Sequence, residues 1–257
     1  MIDVLITYFL VYAVIGYVIE VIYCSLGERK LVNRGFLHGP WLPIYGIGAL
    51  LVIVGTTPVA TKIAAVFVVT VILTSAVEYI GSWALETFFG VKLWDYSTYP
   101  LNIKGRVCAK NSTLFGLLGV ALVFGIHPIV HRTVYAMGEA ARSNIAHAVI
   151  LLLAVDTTAS VMRLVTFTAL LARYQKRKGE VEVRLHTLAE SVQNRLLAQR
   201  LGQEIEELHN ELVDRARRLY AKFPSLTSSD EGRKSHLAGV RRAIKNRIKE
   251  KREHDSK

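Results

Sequence analysis

An all-α, polytopic membrane protein with about five transmembrane helices and a cytoplasmic helical tail is the fold class this chain predicts, and three observations predict it. Residues 1–172 are dominated by Val, Ile, Leu, Ala, Gly and Phe, whereas residues 173–257 are densely charged. Five apolar segments in the first part are each at or near the roughly 20 residues a helix needs to cross about 30 Å of hydrocarbon. The formal charge of +11 is concentrated in loops and tail, not in the apolar segments. The chain therefore divides into a transmembrane domain, 1–172, and a basic tail, 173–257.

The spans read as Ile2 to Leu26, Trp41 to Thr57, Ile63 to Phe89, Leu114 to His131 and Ile145 to Ala172, the second and fourth being short. No Lys or Arg precedes the first span and no small-residue cleavage pattern follows it, so it reads as a retained helix. Loop one carries Arg29, Lys30 and Arg34, and loop three carries Lys92, Lys104, Arg106 and Lys110; loops two and four have only Lys62, Arg132 and Arg142. Positive charge accumulates on the cytoplasmic side, which places loops one and three and the tail inside and the amino terminus outside a cell membrane crossed several times.

Three acids interrupt these spans: Glu20 in the first, Glu78 and Glu86 in the third. A carboxylate in hydrocarbon costs about 2.5 to 3.5 kcal/mol on insertion scales, so each needs a partner, a wet cavity or a function. Glu78, Ser82 and Glu86 recur at i, i+4, i+8 and share one helical stripe, with Glu78 roughly 12 Å deeper than Glu86 at about 1.5 Å per residue. The stripe predicts a polar path entering from the cytosol. The structural alternative has Glu20 and Glu86 reaching interfacial water and Glu78 paired with a Tyr or Trp.

The loops after these helices hold candidate partners. Gly35, Gly39, Pro40, Pro43 and Gly46 bend the first tightly enough to fold back against the helices, where backbone N–H groups beside Arg34 could hold an anion; an ordinary Gly/Pro turn is the alternative. The second, Trp94 to Arg106, sets Asp95 between the interfacial aromatics Trp94 and Tyr96. Asp95 is expected to pair with Arg34 or Arg106, as a clasp or to orient a guanidinium toward carboxylate or phosphate. An internal echo accompanies this: Gly35 to Tyr45 and Gly105 to Phe115 are each ten residues apart, as if two helix-loop-helix units enclosed a cavity. In the fifth span Asp156 and Arg163, seven residues apart on one face, read as a structural ion pair.

The ordered series Gly16, Glu20, Asn33-Arg34-Gly35, Gly39-Pro40, Pro43-Ile44-Tyr45-Gly46, Glu78, Glu86, Trp94-Asp95-Tyr96-Ser97, Asn102, Gly105-Arg106 and Ser112 resembles the bacterial membrane family described as putative ABC-transporter type IV, the CmpB-like permeases, over roughly residues 5 to 130. The resemblance implies a permease-like transport component of the bacterial inner membrane. It implies a substrate or ion site drawn from Glu20, Asn33, Arg34, Tyr45, Glu78, Glu86, Trp94, Asp95, Tyr96, Asn102, Arg106 and Ser112, open to the cytoplasm. Phe115 and His38 depart from the family's pattern and are set aside. The chain has no Gly-x-x-x-x-Gly-Lys-Ser/Thr, so an ATPase would be a separate subunit, and five helices call for a homo-oligomer or a multi-subunit complex.

Two other functions compete. Paired carboxylates with Arg34 and Arg106 could form a membrane enzyme or binding protein acting on a phosphate-bearing lipid headgroup, yet no Ser-His-Asp order, Cys-His pairing or metal-ligand spacing is legible. No cofactor or metal is predicted, although the three glutamates and Asp95 could converge on a divalent cation. Cys24 and Cys108 read as single cytosolic thiols. The other alternative is a scaffold acting through its tail. There, a helix from about 180 to 220 carries Leu201, Ile205, Leu208, Leu212 and Leu219 on a heptad-like seam, suited to a coiled coil or a helical hairpin; Leu185, Leu188 and Val192 are out of phase with it. After the break at Pro224 to Ser229, a basic amphipathic helix over about 233–252 presents Leu237, Val240, Ile244 and Ile248, and ten Lys or Arg lie from Arg233 onward. Without interleaved aromatics this segment points to the anionic inner leaflet and not to nucleic acid.

Overall fold

The computed structural model describes residues 1–28, 32, 35–187 and 192–255. The described residues are mostly helical, with one short hairpin among them, in the order α1 (Ile2–Glu28), α2 (Pro43–Thr56), α3 (Ile63–Phe89), β1 (Asn102–Ile103), β2 (Val107–Cys108), α4 (Ala109–Ala121), α5 (His127–Ala136), α6 (Glu139–Thr187), α7 (Val192–Lys222) and α8 (Glu231–Asp255). Among the described residues four helical stretches are long and apolar enough to cross a membrane: Ile2–Leu26, Ile63–Phe89, Ala109–Ala136 and Glu139–Arg184. The second expected span is shorter. At 14 residues, α2 reaches about 21 Å, less than the roughly 30 Å of a hydrocarbon core. The fourth is longer than its apolar run, because a π-turn over Leu122–Ile126 joins α4 to α5 without a break. Pro128 accounts for that turn: it has no N–H and its ring crowds the carbonyl four residues back, so the helix widens just before it.

The residues form two compact units, 1–84 with 95–161 and 85–94 with 162–257. In the first, α1 and α2 pack closely, and Tyr8, Tyr12, Val52, Leu122, Val130 and Val134 form a buried cluster. Its polar edge is a ladder of two rungs, Tyr8 hydroxyl to His131 Nδ1 and Tyr12 hydroxyl to His127 Nδ1, each 2.7 Å. Loop one folds back as its glycines and prolines predict, but the anion it holds is a side chain of the protein. Asp156 on α6 accepts from His38 N–H and His38 Nδ1 at 2.8 Å each, Gly39 N–H at 2.8 Å, Trp41 Nε1 at 3.1 Å and Ser160 Oγ at 3.3 Å. The expected Asp156–Arg163 pair is thereby replaced: loop donors and Ser160, one turn along α6, take up both carboxylate oxygens.

In the second unit the carboxyl half of α6, α7 and α8 pack as a helical group. Leu208, Leu212, Val213 and Ala216 of α7 are buried, as are Leu237, Val240 and Ile244 of α8. The Tyr220 hydroxyl donates to the Leu237 carbonyl at 2.9 Å. The heptad-like seam is thus closed by a hairpin within the chain, and the apolar stripe of α8, expected to face lipid, packs inside over Leu237, Val240 and Ile244 and leaves Ile248 exposed. Tyr174 lies between His209 and His236, with ring centroids 5.5 and 5.7 Å away. The segment after α3 joins this unit: Lys92 and Thr227 exchange backbone hydrogen bonds of 2.8 and 3.0 Å, and the Gly90 carbonyl accepts from Ser228 Oγ at 2.8 Å and Arg233 Nη1 at 2.9 Å.

Asp156→Ala strands five donors at once, most of them part-buried, and is expected to cost about 3 kcal/mol, read as a lowered melting temperature of the detergent-solubilised protein; Asp156→Asn, which keeps one acceptor oxygen, loses less. His209 supplies a second expectation. Burial holds its pKa below the ordinary 6.5, an effect that neighbouring Arg247 and Lys178 reinforce. The unfolded chain therefore takes up the proton first, so the stability contribution is full above about pH 6.5 and is lost as pH falls below it. Melts at pH 7.5 and 5.5 should show a drop in the wild-type chain that His209→Gln reduces.

Candidate polar site among the apolar helices

Side chains from three helices and one loop of the first unit build this site. Glu20 projects from α1 and accepts a 2.6 Å hydrogen bond from the Tyr45 hydroxyl of α2 on Oε2, while Cys24 Sγ lies 3.5 Å from Oε1. The close crossing of α1 and α2 depends on Gly16, because a Cβ there would overlap the Tyr45 side chain. Glu78 of α3 is only 6% exposed and is hydrogen-bonded by Tyr96, yet its Oε2 has no partner among the described residues. Ser82, one turn along the same stripe, is 1% exposed and its hydroxyl is equally without a partner there. Tyr45 lies within electrostatic reach of Glu20, Glu78 and Tyr96, so two carboxylates and two phenols form one group.

Phe115, set aside in the sequence, meets Tyr45 edge-on with ring centroids 5.8 Å apart, so the two ends of the ten-residue echo touch. Ser112 ties α4 to α3 through a 2.7 Å hydroxyl pair with Ser75. Arg106 donates to the Tyr79 hydroxyl at 2.9 Å, its guanidinium 4.9 Å from that ring's centroid. These contacts fix the walls of the site.

Other candidates are engaged elsewhere. Asp95 Oδ1 accepts from Ser97 N–H at 3.0 Å, and Asn102 bridges the Tyr99 carbonyl at 2.8 Å and the Gly105 N–H at 2.9 Å. Together they fold loop three around a tight turn with positive φ at Lys104 and Gly105, where a Cβ on Gly105 would stand 2.5 Å from Asp95 Oδ1. Trp94 and Glu86 belong to the second unit, where Glu86 Oε2 lies 3.8 Å from Lys92 Nζ. Asn33 and Arg34 lie outside the described residues. A divalent-cation cluster of the three glutamates and Asp95 does not form: among the described residues no three His, Cys, Asp or Glu come within metal-holding range.

Two polar clusters went unread in the sequence. Tyr8/Tyr12 and His127/His131 share an i, i+4 spacing, a signal that could have marked facing helices. Asp156 and Ser160, also i, i+4, presented the receptor for loop one, but nothing in the spacing named His38 or Trp41 as their partners.

Chemically, carboxylates and phenolic oxygens line the group built on Glu20 and Glu78, a donor set able to accept a proton or a cation. No curated protein and no solved structure matches the chain. The family model described as Putative ABC-transporter type IV matches residues 7–161, which takes in every helix bearing the polar site and ends at the last residue of the first unit. This transport-related, multi-pass membrane protein therefore belongs to the putative ABC-transporter type IV family.

Proposed function

We propose that the chain is a permease-like transport component whose Glu20–Tyr45–Glu78–Tyr96 group binds a proton or small cation in transit. The observation that carries this reading is Glu78, a buried carboxylate with an unpartnered oxygen in a helix long enough to span. Asp156, the acid a purely structural account explains well, has five donors; Glu78 does not. The excess of Lys and Arg in loops one and three supports a site open to the cytoplasm, with the amino terminus outside and the tail inside, an arrangement in which the short apolar helix Pro43–Val59 makes a fifth crossing. Few spanning helices and the missing phosphate-binding motif support a homo-oligomer or a complex with a separate ATPase subunit. The exposed basic side chains of α8, including Arg241, Arg242 and Lys245, support contact between the tail and the anionic inner leaflet.

Proteoliposomes loaded with a pH-sensitive dye test the reading. Under an imposed membrane potential, vesicles containing the wild-type chain should acidify faster than empty ones, and Glu78→Gln should return the rate to the empty-vesicle level while leaving the melting temperature within a few degrees. Equal rates for wild type and Glu78→Gln would overturn it. Tyr45→Phe removes the donor from Glu20 but keeps both carboxylates, so a several-fold slowing without abolition is expected in the same assay.

A further inference from the structure

Where α6 leaves its apolar run, the second unit contains a hollow of about 330 Å³ lined by Arg173, Lys176, Arg177, Glu180 and Glu204. That volume is within the range of small-ligand sites. Residues 164–172 carry no charge, so Arg173 is the first cation beyond the hydrocarbon-like stretch, at the depth where lipid headgroups begin.

One wall is rigid. Arg177 donates from Nε to Glu204 Oε1 at 2.8 Å and from Nη2 to Oε2 at 2.9 Å, a two-pronged contact that ties α6 to α7, and from Nη1 to Glu180 at 3.1 Å. The guanidinium of Arg177 holds the Glu204 carboxyl below its ordinary range, so this contact persists at neutral pH. Arg177 is thereby neutralised by its two acids. Arg173 and Lys176 are different: both are exposed and neither is held by a hydrogen-bonded ion pair among the described residues, although Arg173 lies within electrostatic reach of Glu204. They are two cations, one turn apart on one face, facing a preformed hollow.

The same face explains what sits below them. Met162, Val165, Ala169, Arg173 and Lys176 follow one another at intervals of 3, 4, 4 and 3 residues and share a helical stripe. Met162 is 64% and Val165 48% exposed, and Ala169 is exposed as well. An apolar stripe running directly into two exposed cations matches an acyl chain continued by a phosphate. A soluble phosphate would use the cations and leave the stripe without a role.

We propose that this hollow seats the phosphodiester of an anionic phospholipid, with Arg173 and Lys176 as its ligands and the Met162–Val165–Ala169 stripe against the acyl chains. The site is separate from the Glu20–Glu78 group and stands whether or not that group moves cations, since its readout is bound lipid. Native mass spectrometry of the full-length protein in detergent, titrated with phosphatidylglycerol or with phosphatidylcholine of the same chains, tests it. The wild-type chain should retain one more phosphatidylglycerol than the Arg173→Gln/Lys176→Gln double variant, with apparent affinity at that site falling about twenty-five-fold, two contacts of about fivefold each. Phosphatidylcholine should show no such difference. Arg217→Gln/Arg218→Gln, the same charge change on exposed positions of α7, should leave retention unchanged, and sn-glycerol 3-phosphate should not displace the lipid. Equal retention by wild type and the α6 double variant overturns the proposal, as does an equal loss in the α7 control. Displacement by glycerol phosphate at lipid-like concentrations would overturn its lipid half and mark the hollow as a soluble-phosphate site. A circular dichroism melt of each variant identifies loss by unfolding, and Arg173→Lys, which keeps the charge, should retain the lipid if the fold is intact.

Discussion

Carboxylates among apolar helices are the constraint around which this chain is organised, and it meets that constraint in two opposite ways. Asp156 gathers donors until its charge is fully answered: two backbone N–H groups, an imidazole, an indole and a hydroxyl. The irregular backbone of residues 38–41 is in turn tolerated among the helices because its N–H groups have that acceptor. Glu78 is buried to a similar degree and left partly unanswered. An unsatisfied buried acceptor costs on the order of 1 to 3 kcal/mol, more when charged. The proposed transit of a proton or cation past Glu78 rests on this difference between the two acids.

Hydropathy alone revealed the helical class, the membrane character and the polar acids, because apolar run length and charge placement are one-dimensional properties. The pairing of Glu20 with Tyr45 and of Glu78 with Tyr96 was legible only as a set of candidates. Those contacts depend on how closely α1 and α2 cross, which Gly16 hints at without specifying its partner. Asp95 and Asn102 misled for a related reason. Polar residues with Gly in a loop have the same composition whether they face a ligand or fold the loop upon itself, and here hydrogen bonds to Ser97, Tyr99 and Gly105 decide for folding. Asp156 and Arg163 were matched by spacing on their own helix, a one-dimensional rule that loses to a loop 118 residues away supplying several donors.

The tail illustrates how an amphipathic pattern specifies that a face will be covered without saying by what. Leu208 and Leu212 on α7 and Leu237 and Val240 on α8 each could have met a second chain or a bilayer. A short connection brings the two helices together within the same chain, and that contact carries the least entropic cost of the three. What remains outside the hairpin is mostly charge, and on α6 charge follows directly on the apolar stripe.

The Tyr8–His131 and Tyr12–His127 rungs carry a mechanical consequence. Both helices repeat their polar residue every four positions and run in opposite directions, so sliding one past the other by a single turn, about 5.4 Å, breaks both rungs and lets one new pair form, Tyr12 with His131 or Tyr8 with His127 according to the direction. Intermediate displacements form none. The α1–α5 seam is therefore a notched contact with discrete stops, and the widened π-turn at Leu122–Ile126 beside it is a place where such a step could be absorbed without breaking the helix.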